Sequence, residues 1–237
     1  MRPNPSPTPF LDLAALLLVL AVAAVSPATG SPEADTAGGG DGPWSLLTSV
    51  RDSLVEAGPT RADFVQTYVP AGFSSGEEET GTLSLELPDC LRWDYSEPYP
   101  KSFLLCGDTA WYWNPEDGEG RRYPVERAEE PGLDLVLLGV DQLEERYRIE
   151  RQDGAAGASA GDAADAVTLE LTPSEDSARL RSATLVVDPE ARRILRLSYL
   201  DPEGNLTRFD LEDYRPLRDA SAFEVPAGIE WVDDEAP

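Results

Sequence analysis

From residue 44 onwards two hydrophobic periods take turns along the chain, and each change of period marks an element. Leu46, Leu47, Val50 and Leu54 recur at helical spacing within Trp44 to Ala57. Arg51, Asp52 and Glu56 read as the other side, and Gly58-Pro59 stops the run, so an amphipathic helix is predicted there. Ala62 to Val69 reads as a strand ended by Pro70-Ala71-Gly72. From Thr80 to Val125 the period is two: Leu83, Leu85 and Leu87 share one face against Thr82, Ser84 and Glu86. The next run sets Leu91, Trp93 and Tyr95 against Arg92 and Asp94. A turn around Pro98, a strand from Lys101 to Cys106 and a strand from Thr109 to Asn114 carrying Trp111 and Trp113 follow.

Pro131 to Arg146 breaks this alternation. Its apolar run from Leu133 to Leu138 is too short for periodicity to separate strand from helix; the reading adopted is a helical segment lying over the sheet, placed to act as a lid. The last third returns to alternation in Val167, Leu169 and Leu171, then Ala183, Leu185 and Val187, then Leu195, Leu197 and Tyr199. Asp201-Pro202-Glu203-Gly204 carries the residues of a hairpin turn, and Phe209 and Leu211 continue beyond it. Consecutive hairpins of this kind predict a mainly β (α+β) domain in which a twisted meander wraps its own apolar face.

A hairpin symmetric about Pro98 sets Trp93 opposite Phe103, Leu91 opposite Leu105 and Cys90 opposite Cys106. Directly opposed residues have the separation a disulfide needs, so a Cys90–Cys106 bond is expected in an exported protein. The alternative is a pair of reduced thiols, because the spacing alone specifies neither a bond nor a metal site.

The ends and the charge set the compartment. Leu13 to Val25 is an unbroken apolar run followed by small residues such as Ala28 and Gly30, so residues 1–30 are expected to be a secretory signal. The run is shorter than the roughly 20 residues of a membrane span, which makes an uncleaved anchor the second reading. Residues 31–43, with Gly38, Gly39, Gly40 and Gly42, have linker composition. That leaves 44–237 as one domain, interrupted by a low-complexity stretch at 152–166. Arg2 and Asp12 cancel within the leader, so the formal charge of −26 belongs to the remainder. Such a surface repels nucleic acid and anionic membranes.

Catalytic options are narrow. The chain contains no histidine, which removes Ser-His and Cys-His nucleophilic sites and His-bearing metal sites. It has no phosphate-binding glycine loop, no HExxH and no EF-hand loop. With 45 acidic residues, chance carboxylate pairs are guaranteed, so no single acid is informative. No cofactor and no metal are expected. Aromatic side chains do stand out: Trp93, Tyr95, Tyr99, Phe103, Trp111, Tyr112, Trp113 and Tyr123 crowd into 31 residues. They suit an ordinary core or the wall of an apolar pocket, and periodicity does not distinguish filled from hollow.

At these residues the chain resembles the outer-membrane lipoprotein carrier family, LolA. The resemblance is carried by Phe64-x-Gln66, Gly81-x-Leu83, Pro88, Arg92-Trp93-x-Tyr95-x-x-Pro98, Gly107, Trp111 and Asn114-Pro115. It resumes at Leu137-Leu138-Gly139, Asp201-x-x-Gly204-x-x-Thr207-x-Phe209 and Phe223-x-x-Pro226-x-Gly228, covering nearly the whole chain after the leader. It implies an incomplete, strongly curved antiparallel β-barrel closed by a helical lid, whose hydrophobic cavity shields the acyl chains of lipoproteins in the periplasm. An inner-membrane ABC-type release complex would load such a carrier, an outer-membrane receptor would unload it, and it would act as a soluble monomer.

Combined with the alternation, the resemblance implies a cavity lined by Leu83, Leu85, Trp93, Phe103, Leu105 and Trp111, with Leu135 and Leu138 from the lid. Many members carry a lid-holding arginine immediately before the proline matching Pro88, where this chain has Leu87. That gating residue is therefore not carried over. Cys106 likewise replaces the family's usual acid, which accords with an extra disulfide. Three rival readings remain: a lipid- or envelope-sensing protein of the same fold, a carboxylate hydrolase, and a secreted module with a filled core.

Overall fold

The computed structural model describes residues 42–125, 133–152, 165–175 and 180–233. The expected leader, residues 31–41 of the linker and residues 153–164 of the low-complexity stretch lie outside them. The first helix, α1, spans Pro43–Ala57, with proline at its start, where no backbone N–H is needed. Gly58, at φ +70°, ends it and donates its N–H to Val55 O at 3.1 Å. The buried stripe is Leu47, Val50, Arg51 and Leu54. The expectation that Arg51 faces away from the core is thus corrected: it stands four residues after Leu47 and three before Leu54, on the helix's inner face.

Among the described residues twelve strands form one sheet. Strands β1 (Thr60–Val69), β2 (Glu77–Glu86), β3 (Cys90–Glu97), β4 (Lys101–Cys106), β5 (Thr109–Trp113) and β6 (Glu119–Pro124) run as one antiparallel meander. A second meander contains β7 (Tyr147–Gln152), β8 (Val167–Pro173), β9 (Ser182–Asp188), β10 (Arg193–Leu200) and β11 (Leu206–Pro216). Pairing of β11 with β1 joins the two. The short β12 (Glu230–Asp233) adds to β6 in the parallel sense, so β12 and β7 are the sheet's edges. The Asp201 turn forms as expected: its backbone carbonyl accepts from Gly204 N at 3.1 Å, and its carboxylate accepts from Asn205 N at 2.8 Å.

The β3–β4 register is the expected one, with Trp93 opposite Phe103 and Leu91 opposite Leu105. Cys90 and Cys106 face each other with Cα atoms 4.3 Å apart and are joined as a disulfide. The ambiguous run around Leu135 is helical, as two short helices, α2 (Leu133–Leu137) and α3 (Val140–Arg146), with Gly139 between them donating its N–H to Gln142 Oε1 at 3.2 Å.

Two irregularities turn the strands of the second meander. In β10 the pairing with β9 slips between Ile194 and Arg196, so Ile194 is buried where strict alternation placed Leu195. In the β1–β11 pair the register slips between Arg61 and Asp63, opposite an Asp213 at φ +50°. Tyr214 thereby turns inward. One apolar cluster then unites the inner faces of strands far apart in the sheet, from Phe64, Leu83 and Trp93 to Leu171, Leu185 and Leu197, together with α1 and α2. The outer face of β3–β6 has its own packing: the Arg92 guanidinium lies 5.0 Å from the Trp113 ring, which meets Trp231 of β12 edge-on at 5.8 Å.

Candidate functional site: an apolar cavity under α1 and α2

A cavity lies between the inner face of the sheet and the helices. Leu83, Leu85 and Trp93 of β2 and β3 form one wall; Ile194, Leu197, Phe209, Leu211 and Tyr214 of β10 and β11 form another. Leu87 follows β2, while Arg51 and Leu54 of α1 and Val136 of α2 complete the lining. Its free space is about 20 Å³, room for about one water-sized guest. Admitting a longer guest therefore requires its walls to part.

Alternation sends Leu83, Leu85 and Trp93 inward, whereas the two β irregularities bring in Ile194 and Tyr214. The cavity wall is not wholly apolar. Arg51 Nη1 donates to Val136 O at 2.7 Å, its one hydrogen bond among the described residues, and so ties α1 to α2. Burial lowers the pKa of this guanidinium, and the neighbouring Asp52 charge offsets part of that effect. Tyr214 spends its hydroxyl by donating to Ile194 O at 2.9 Å, and burial pushes its pKa well above the ordinary phenol value. Nearby, Tyr95 donates to Gln66 Oε1 at 2.6 Å. Trp93, with ring centroids of Phe103 and Phe209 each 6.0 Å away, has a buried Nε1–H that finds no acceptor among the described residues. Among the described residues no group of acidic or cysteine side chains is placed to hold a metal ion, and no helix is long and apolar enough to cross a membrane.

Of the residues expected to line a cavity, Leu83, Leu85 and Trp93 do so. Phe103, Leu105, Leu135 and Leu138 belong to the surrounding apolar cluster without reaching the cavity wall. Trp111 is placed differently: it pairs with Leu104, next to the inward Leu105, and therefore stands on the outer face. This corrects its expected position. Across the β4–β5 register Ala110, not Trp111, is the inward neighbour of Leu105. Arg51 was legible from helical spacing alone, since positions 47, 50, 51 and 54 form one stripe. Ile194 and Tyr214 had no such signal, because a bulge is not written in the alternation it interrupts.

Residues 57–225 match the family model described as "Outer membrane lipoprotein carrier protein LolA". The outer-membrane lipoprotein carrier protein of Shewanella loihica is 24% identical over 192 residues, covering 79% of this chain and 85% of that protein. That of Methylococcus capsulatus is 25% identical over 197 residues, covering 81% and 88%. Among solved structures, an uncharacterised conserved protein of Thermus thermophilus superposes with a TM-score of 0.50 at 12% identity, over 80% of this chain and 97% of that one. This last likeness is one of fold.

Proposed function

The chain belongs to the outer-membrane lipoprotein carrier family, and from that premise we propose that it carries the acyl chains of lipoproteins through the periplasm, held between its sheet and its helices. The observation that carries this reading is an apolar cavity with the helices over it, where the Arg51 side chain of α1 donates to Val136 O of α2. Each acyl CH₂ moved from water into such a cavity gains about 0.8 kcal/mol, which is the scale a carrier must match to take a lipidated protein from a bilayer.

In this account the sheet is the curved, incomplete barrel of a carrier, and α2 is part of its lid. Arg51, reaching from α1, does the holding that Leu87 has no polar group to do. Loading breaks the Arg51 bond and lifts α2 from Leu83, Leu85 and Trp93; unloading restores it. The process is transfer, with no covalent step assigned to any residue. Energy for loading comes from an ABC-type release complex in the inner membrane, and delivery ends on an outer-membrane acceptor. The leader and the disulfide accord with a soluble monomer working in the periplasm.

Native mass spectrometry of the protein recovered from its own periplasm tests this. A co-purifying lipidated peptide or lipoprotein is the expected result. An empty protein that also refuses added acyl ligands would contradict it.

A further inference from the structure

Three of the described residues that line the cavity carry polar side chains, Arg51, Trp93 and Tyr214, and none of the described lining residues is a carboxylate; the Tyr214 hydroxyl already donates to Ile194 O. Trp93 is the informative member. Its side chain is 8% exposed, its only polar atom is the indole Nε1–H, and that atom has no acceptor among the described residues. The Nε atoms of Arg61 and Arg193 share that condition, but each of these residues pairs through another nitrogen, and Arg208 Nε lies 2.8 Å from Asp210 Oδ2. Trp93 has no second arm.

A hydrocarbon tail leaves this donor as it is. A neutral acceptor seated in the cavity recovers the hydrogen bond that burial withholds. We propose that Trp93 donates its Nε1–H to the carbonyl oxygen of an acyl ester, which makes the cavity selective for esterified chains over bare or ether-linked chains of equal length. The inference rests on the acyl-carrier reading above and adds a ligand class to it. An indole is neutral and only donates, so its fitting partner is a neutral carbonyl at the head of the acyl chain. The Arg51 guanidinium in the same lining adds further donors for ester oxygens once α2 has moved. Trp93 is on this account a specificity-determining residue, and the rings of Phe103 and Phe209 fix its plane.

The test is calorimetric titration of the full mature chain with 1-monolaurin and with 1-O-dodecylglycerol, which differ only in the ester carbonyl. The wild type is expected to favour the ester by about tenfold, and Trp93→Phe, which keeps a ring and removes the donor, to lose that preference. The ratio is read within each variant, so a general loss of packing cancels. Should Trp93→Phe fail to fold, the indole ¹⁵N–¹H resonances of the wild type provide the readout. One of them is expected to move downfield with the ester and stay in place with the ether.

Equal binding of ester and ether by the wild type, or an undiminished preference in Trp93→Phe, would overturn the ester assignment alone. Binding of neither ligand would overturn the acyl-carrier reading itself. Tighter binding of laurate than of monolaurin would replace the ester by an anion held by Arg51. A diacylglyceryl-cysteine peptide and a diacyl phosphatidylethanolamine present the same ester, and the tighter of the two identifies its source.

Discussion

The two faces of strands β3 to β5 carry similar aromatic side chains put to opposite uses. On the outer face Trp113 is enclosed, with the Arg92 guanidinium at 5.0 Å and the Trp231 ring at 5.8 Å, and Arg92 also donates to Ala222 O at 3.0 Å. Gly120 faces Trp231 so closely that a β-carbon there would come within 2.4 Å of the ring. On the inner face Trp93 lines the cavity and keeps a donor with no acceptor among the described residues. A packed core satisfies its polar atoms and fills its gaps. The outer face does this and the inner face does not. Aromatic content therefore says little about function until the neighbours of each ring are known.

Substitutions on the two faces should separate binding from stability. The largest expected effect is that of Phe103→Glu, which puts a carboxylate beside Trp93 in the apolar cluster. Desolvating that charge costs several kcal/mol, so acyl affinity should fall by about 100-fold or more, measured by displacement of a bound fluorescent fatty ester. Replacing both cysteines by serine opens the link across a separation of 16 residues. It should cost about 3 kcal/mol in chemical denaturation while acyl affinity stays unchanged.

Gly120→Val should displace Trp231 and lower stability by about 1–3 kcal/mol, with acyl affinity again unchanged. Arg51→Met keeps the volume and removes the bond to Val136 O. Its expected effect on overall stability is within about 1 kcal/mol, but hydrogen exchange in α2 should accelerate. The smallest effect concerns Asp63. Its hydrogen bonds from Arg215, at 2.7 and 3.0 Å, hold the carboxyl below its ordinary pKa. A pKa lowered by folding gives stability that is full above the unfolded-state value near 3.9 and is lost as pH falls through the folded-state value. Asp63→Asn should therefore flatten only the acid end of the stability curve, and slightly, because the pair is well exposed to solvent.

Much of the fold was legible because its rules are local. Alternation marked the strands, the symmetry about Pro98 placed Trp93 against Phe103 and Cys90 against Cys106, and the aperiodic run holds the short helix α2, Leu133–Leu137. The site was legible only in part. Leu83, Leu85 and Trp93 follow from alternation within one meander, but β10 and β11 supply five of the twelve lining residues, and Ile194 and Tyr214 among these reach the wall through register slips. Arg51 shows the limit of charge as a guide to facing, because its helical spacing puts it on the buried stripe. The face of Trp111 depends on the pairing of β5 with β4, which its aromatic neighbours in the sequence do not reveal.

The most direct test of the account is fluorescence quenching by an acyl ester brominated on its chain, which quenches tryptophan only at near contact. Quenching is expected to saturate with ligand, to fall sharply in Trp93→Phe, with any remainder owed to Trp44 of the same apolar cluster, and to persist in Trp113→Phe. Quenching that is unchanged by the loss of Trp93, or that requires Trp113, would place the acyl chain away from the inner cavity and overturn this reading.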